Sequence, residues 1–151
     1  PPEGGSVLSA DVSDTLRAVR AVDVDGEILL QLATYPDASL WEDRATGIES
    51  ADACVRYGRG AHNGRVILAY VAPGGGVERR HTLDEGGTWN VATTISADGT
   101  HPTVAVSPTG VEHHFWWESG AIKTRVFDAQ QQEVIPEATA VASGADDDQI
   151  A

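Results

Sequence analysis

The chain has 151 residues, of which 23 are Asp or Glu and 10 are Lys or Arg, for a formal charge of −13. That balance excludes nucleic acid as the main partner, because neutralising phosphates needs clustered Lys and Arg, and it excludes an anionic membrane surface for the same reason. A hydrophobic content of 41% is ordinary for a folded domain, no apolar run approaches the ~20 residues that cross a bilayer as a helix, and the lone Cys54 forms no intrachain disulfide and reads as a small buried thiol.

Residues 1–14 begin Pro1-Pro2-Glu3-Gly4-Gly5, without the charged and then apolar pattern of a signal peptide. They are expected to form an N-terminal linker or extension. The best helical stretch, Ser13–Arg20, runs directly into Ala21-Val22-Asp23-Val24, which alternates like a strand. From there the chain reads as short β-rich runs separated by Gly, Pro, Asn and Asp. Asp25-Gly26 separates Ala21–Val24 from Glu27–Leu32; Asn63-Gly64 precedes Arg65–Val71; Thr109-Gly110 separates Thr103–Val106 from Val111–Trp117. Turns of this composition supply the positive φ that tight hairpins require.

Each hairpin is followed by a turn and a further strand, at Ser39–Arg44, Val77–Leu83 and Ala121–Phe127. The hairpin glycines at 26, 64 and 110 lie 38 and 46 residues apart. A period of roughly 40–50 residues with about four strands per unit is that of propeller blades. The units are expected at about 15–52, 53–101 and 102–148. Val66–Val71 is apolar at every position, as in a strand covered on both faces. Asp147–Ala151 resembles the start of a further unit.

Thr82-Leu83-Asp84-Glu85-Gly86-Gly87-Thr88-Trp89 fits Ser/Thr-x-Asp-x-Gly-x-Thr-Trp at every defined position. Average residue usage makes a chance match about one in ten thousand or rarer. The segment resembles the Asp-box, or BNR repeat, of sialidase-like β-propellers. The resemblance implies an all-β fold of antiparallel four-stranded blades, about three of them, either incomplete or closed by oligomerisation. It also implies that Thr82, Asp84, Gly86, Thr88 and Trp89 are structural and lie on the face away from an active site. The chemistry agrees: Asp84 can accept backbone N–H bonds across a turn, Gly86 can take a positive φ, and Trp89 can bury a large apolar area.

A sialidase-like enzyme needs an arginine clamp for its substrate carboxylate, a Tyr–Glu nucleophile pair and a general acid. No such set can be assembled here. Arg79-Arg80 reads as a solvated or edge face, and Glu42-Asp43, Asp84-Glu85 and Glu112/Glu118 have no spacing that marks a glycosidase pair. His113 and His114 point to opposite faces of one strand and make no metal site, and Asp146–Asp148 reads as a solvated loop rather than a calcium site. No catalytic residue, metal or cofactor is expected. His114 and Trp116 share a face with Glu112 and Glu118, so that face is the more polar one and is the candidate ligand-binding surface.

The expected function is therefore a non-enzymatic structural or attachment module of a larger virion or surface protein, such as a phage tail, fibre or spike, extracellular or virion-associated. Its expected partners are the rest of a longer chain or other copies, and a neutral glycan. The alternatives are a fragment of a sialidase-like glycoside hydrolase and a small lectin that closes its ring by oligomerising.

Overall fold

The computed structural model describes residues 5–34, 40–60 and 64–141. Twelve strands run in chain order: β1 Ser6–Val12, β2 Arg17–Val24, β3 Glu27–Thr34, β4 Glu42–Glu49, β5 Ala53–Tyr57, β6 Val66–Val71, β7 Val77–Thr82, β8 Thr93–Ser96, β9 Thr100–Val106, β10 Glu112–Glu118, β11 Ala121–Phe127 and β12 Glu133–Val141. They form three separate four-stranded antiparallel sheets, β1–β4, β5–β8 and β9–β12, each in simple sequential order. The fold is all-β, with no α-helix among the described residues. The first strands of the sheets start at Ser6, Ala53 and Thr100, a repeat of 47 residues.

The apolar clusters fix how the sheets meet. Successive side chains of a strand point to opposite faces. In β6, Val66, Leu68 and Tyr70 join the cluster shared with Val19, Leu30 and Leu32 of the first sheet. Ile67 and Ala69 join Cys54 and Val104 on the other side, toward the third sheet. A third cluster sets Val77 and Ile95 of the second sheet against Trp116 and Phe127 of the third. The second sheet is thus covered on both faces, which is why Val66–Tyr70 is buried throughout. Cys54 is buried and unpaired, and burial pushes its thiol pKa up, so it is a packing residue.

Two expectations need correction. Residues 6–12, expected in a linker, form β1. Its sequence hides the strand because its polar side chains face inward. Ser9 Oγ accepts from the Val55 amide at 2.7 Å, and Asp11 accepts from the Tyr57 amide at 2.8 Å and from Arg59 at 3.0 Å. These side chains satisfy N–H groups on the open edge of β5. The Asp25-Gly26 turn consequently joins the second and third strands of its sheet, whereas the Thr109-Gly110 turn joins first to second; Asn63 of the expected Asn63-Gly64 turn lies outside the described residues. The Ser13–Arg20 stretch splits into a turn and the start of β2. Tyr35 and the Asp146–Asp148 run, like the further unit expected at Asp147–Ala151, lie outside the described residues.

Replacing Leu68, which has no exposed surface, by Ala leaves a cavity between the first two sheets and is expected to cost about 2–5 kcal/mol. Denaturant unfolding followed by Trp fluorescence measures it.

Candidate functional site

Three places in the fold bear on function, and the sequence pointed to two of them. The first is the turn between β7 and β8. Thr82, buried at the end of β7, donates to Asp84 Oδ1 at 2.6 Å and accepts from the Gly86 amide at 3.0 Å. Asp84 in turn accepts from the Thr88 amide and the Thr88 hydroxyl, both at 2.8 Å. Gly86 holds φ +93, which only glycine adopts without strain. The hydrogen bonds from Thr82 and then Thr88 hold the Asp84 carboxyl down to about 2. It stays ionised at neutral pH and cannot serve as a general acid.

This turn is also a clamp between sheets. Glu85 accepts from Arg17 Nε and Nη2 of β2 at 2.9 and 3.0 Å. A side chain added at Gly86 would meet Arg44 at 3.4 Å and Leu30 at 3.6 Å. Trp89 is half-buried and packs on the cluster between the first and second sheets. Each of these contacts reaches the first sheet from a loop of the second.

The second place is the face of β10 that carries His114 and Trp116. Both are buried, at 1% and 0% exposure, with Glu112 at 0%. This corrects the ligand-binding expectation: a sugar reaches neither ring without parting the second and third sheets. The polarity of the face is consumed internally. Arg79 of β7 donates from Nε at 3.0 Å and from Nη2 at 2.7 Å to Glu112 Oε2, Gln131 donates to Oε1 at 2.8 Å, and His114 Nε2 lies 3.0 Å from Oε2. A carboxylate only accepts, so His114 is the neutral tautomer carrying its proton on Nε2. Burial lowers the His114 pKa, in agreement. Burial alone would raise Glu112, but the bonds from His114, Arg79 and Gln131 outweigh it and hold the carboxyl at about 2. Arg79, expected on a solvated face, is 2% exposed and is the cation of this network, whose hub is Glu112. Trp116 Nε1 donates to Glu118 at 2.8 Å, and its ring lies so close to Gly99 that a Cβ there would stand 2.3 Å from it.

The third place was not marked by any motif. At the opposite end of the second sheet from the 82–89 turn, an open cleft of about 480 Å³ is lined by Gly26, Glu49, Ser50, Ala51, Asp52 and His101, with the β6–β7 turn behind them. Asp52 joins the second and third sheets, and Ser50 beside it joins the first. The Ser50 amide donates to Gly26 O at 2.8 Å, tying the cleft to the first sheet. The Val71 amide donates to Asp52 O at 3.0 Å, tying it to β6. The His101 amide donates to Asp52 Oδ2 at 3.0 Å, and His101 Nδ1 lies 3.2 Å from the same oxygen. His101 holds φ +52, a left-handed conformation that costs a non-glycine residue about 1–3 kcal/mol. Asp52 stands just before β5 and His101 is the second residue of β9, and no sequence motif marks either. Among the described residues no group of His, Cys, Asp or Glu is arranged to hold a metal ion.

Comparison of the chain with protein-family models and with curated proteins finds no match.

Glu112→Gln leaves Arg79 buried without its counter-ion and is expected to cost about 3–5 kcal/mol, whereas Arg79→Met combined with Glu112→Leu is expected to cost less, because it leaves the neutral His114 and Gln131 groups, and no fully buried cation, without their partner. The sign with pH follows from the depressed carboxyl: its contribution is complete above about 4.5, the ordinary value, and is lost as pH falls through about 2. Acid unfolding should therefore be steeper in the unaltered chain than in the double variant. Asp84→Ala, at an exposed position, is expected to lower the melting temperature while leaving ligand binding per folded molecule unchanged, checked by thermal unfolding alongside a binding isotherm.

Proposed function

We propose that this chain is a non-enzymatic attachment module made of propeller-type blades, part of a larger surface or virion protein, and that the cleft around Asp52 and His101 holds a neutral glycan. The observation that carries the reading is the His101–Asp52 pair on the wall of the cleft, with the imidazole Nδ1 3.2 Å from Asp52 Oδ2 and both side chains partly exposed. Carboxylate, imidazole and hydroxyl groups from Glu49, Ser50, Asp52, Thr100 and His101 are the donors and acceptors that sugar hydroxyls need.

Three features support the blade reading. The sheets are four-stranded sequential meanders with a regular repeat, the middle one is covered on both faces, and the 82–89 turn closes with the hydrogen bonds its resemblance to an Asp-box implies. In that family the box lies away from the active site, and here the cleft lies at the end of the second sheet opposite the turn. The virion or cell-surface setting comes from the resemblance alone. The hydrolase alternative is disfavoured by the lining: among the described residues around the cleft there is no arginine and no tyrosine. With Glu49 and Asp52 on its walls in a chain of charge −13, an anionic sugar is repelled.

His101→Gly keeps the left-handed backbone and removes the imidazole; Asp52→Asn keeps the shape and removes the charge. Both are expected to weaken binding of neutral oligosaccharides at least tenfold on a glycan array followed by calorimetry, with the His101→Gly melting temperature unchanged or higher. Turnover of a fluorogenic glycoside, abolished by changing Glu49 or Asp52, would replace this reading with the hydrolase one.

A further inference from the structure

The seam between the second and third sheets holds more positive than negative charge. Side chains alternate along a strand, so Arg65, just before β6, points the same way as Ile67, which packs toward the third sheet. Arg79 and His81 lie on that face of β7, where His81 pairs with Ile67. Across the seam the third sheet presents Glu112 and His114. Among the described residues Glu112 is the one carboxylate within 4.0 Å of Arg65 or Arg79.

That carboxylate is already engaged by Arg79, His114 and Gln131, which leaves Arg65 over. The Arg65 side chain is 11% exposed, and its Nη1 stands 3.9 Å from Glu112 Oε1, beyond hydrogen-bond distance. Three buried nitrogens in this cluster have no hydrogen-bond partner among the described residues: Arg65 Nε, His81 Nδ1 and His114 Nδ1. Buried polar groups are otherwise almost always paired. Burial lowers the Arg65 pKa, with Arg79 acting in the same direction against the pull of Glu112. Burial, then Arg79 and Arg65, lower that of His81.

We infer that the Arg65–His81 corner of this seam is a binding site for one tetrahedral oxyanion of the sulfate or phosphate class. Two guanidinium groups facing one carboxylate leave one positive charge, and a buried charge without a counter-ion is costly. The Nη1 end of Arg65 is the one directed at Glu112, so the Nε–Nη2 edge is free to grip two oxygens of an oxyanion as a planar fork. His81 Nδ1, when protonated, donates to a third oxygen, which a planar carboxylate does not have. His114 carries its proton on Nε2, so its Nδ1 is an acceptor and belongs to no anion site. Solvent reaches the corner, because Arg65 keeps some exposure and His81 is only half-buried. The formal charge of −13 does not forbid the site: near groups in a low-dielectric seam outweigh distant charges screened by salt. The corner lies at the Val106–Glu112 end of the third sheet and the cleft at the Thr100 end, so the inference is independent of the proposed glycan.

The site is coupled to pH. The charged and titratable groups facing His81 from the second sheet are Arg65, Arg79 and, beyond Ile67, Arg56, which is turned to the Val55 and Ala10 carbonyls. From the third sheet they are Glu112, His114 and Arg125, the last paired with Glu133. With His81 neutral the corner carries one excess positive charge; with His81 protonated it carries two, matching a dianion. Anion binding therefore raises the His81 pKa, and by reciprocity anion affinity rises as pH falls.

The probe is sulfate, which keeps its two charges from about pH 5 to pH 8, the range in which histidine titrates. It is titrated into the full chain at constant ionic strength balanced with chloride, and read from the His81 imidazole resonances, assigned with His81→Gln. A saturable shift is expected, with affinity about tenfold tighter at the acid end of the range than at the other. Arg65→Gln, checked for folding by circular dichroism, is expected to abolish the shift. Without sulfate its melting temperature is expected to equal or exceed that of the unaltered chain, because an unbalanced buried cation has been removed. Absence of a saturable shift, the same shift in Arg65→Gln, or equal affinity at both ends of the pH range would each overturn the inference. So would a marked loss of stability in Arg65→Gln, which would make Arg65 a packing residue. Glycan binding by Arg65→Gln is expected to match that of the unaltered chain, which keeps this test separate from that of the cleft.

Discussion

Everything in this fold depends on β6 being covered on both faces. A strand with alternating apolar and polar residues can pack against one neighbour; Val66–Tyr70, apolar at each position, needs two. The first and third sheets meet that need from opposite sides, and the order of the chain then follows. Each sheet is a sequential meander of the shortest connections, and each passes directly to the sheet stacked on it. The innermost strands β1, β5 and β9 approach one another, and their edges are managed by side chains: Ser9 and Asp11 occupy the N–H groups that β5 would otherwise leave open.

The two interfaces are held by different physics. Between the first and second sheets the contact is apolar, with the 82–89 turn reaching across through Glu85, Gly86 and Trp89. Between the second and third sheets the apolar clusters surround a buried ion network in which one carboxylate, Glu112, serves Arg79, His114 and Gln131. Such a network adds little net stability compared with an apolar replacement, but losing one member is costly. It does constrain register: the bidentate geometry of Arg79 on Glu112 is met at one offset of β7 against β10. An apolar seam alone tolerates sliding more readily.

The strand content and the turn chemistry were legible in the sequence because both are local. Positive-φ glycines mark turns, and the spacing of Thr82, Asp84, Gly86 and Thr88 is set by hydrogen bonds within one loop. What failed was nonlocal. β1 was missed because its inward side chains are polar, bonded to the backbone of another sheet. That omission moved the Asp25-Gly26 turn one strand out of register with the other units. The Glu112–Glu118 face of β10 was taken for a ligand surface because polarity in a strand usually marks solvent. Here Arg79, 33 residues before Glu112 and in the preceding sheet, satisfies that polarity in the interior. The cleft was invisible for a similar reason: its walls come from connections in all three sheets, and no two of its groups belong to one motif.

The two ends of the second sheet are therefore specialised in opposite senses. At the end of β7 the turn is self-satisfied: the carboxylate of Asp84 is saturated by Thr82 and Thr88, and Glu85 is engaged by Arg17. Its ionised acid is engaged within the turn and is a poor proton donor at neutral pH. At the end where β6 finishes and β9 begins, the backbone is held in a conformation that costs energy at His101, and Asp52 is shared between the second and third sheets. A rigid frame is what makes such strain sustainable, because the cost is borne by packing elsewhere. The turn and the cleft are built from separate connections with no residue in common, so loosening the turn weakens the contact between the first and second sheets and leaves the residues that line the cleft in place.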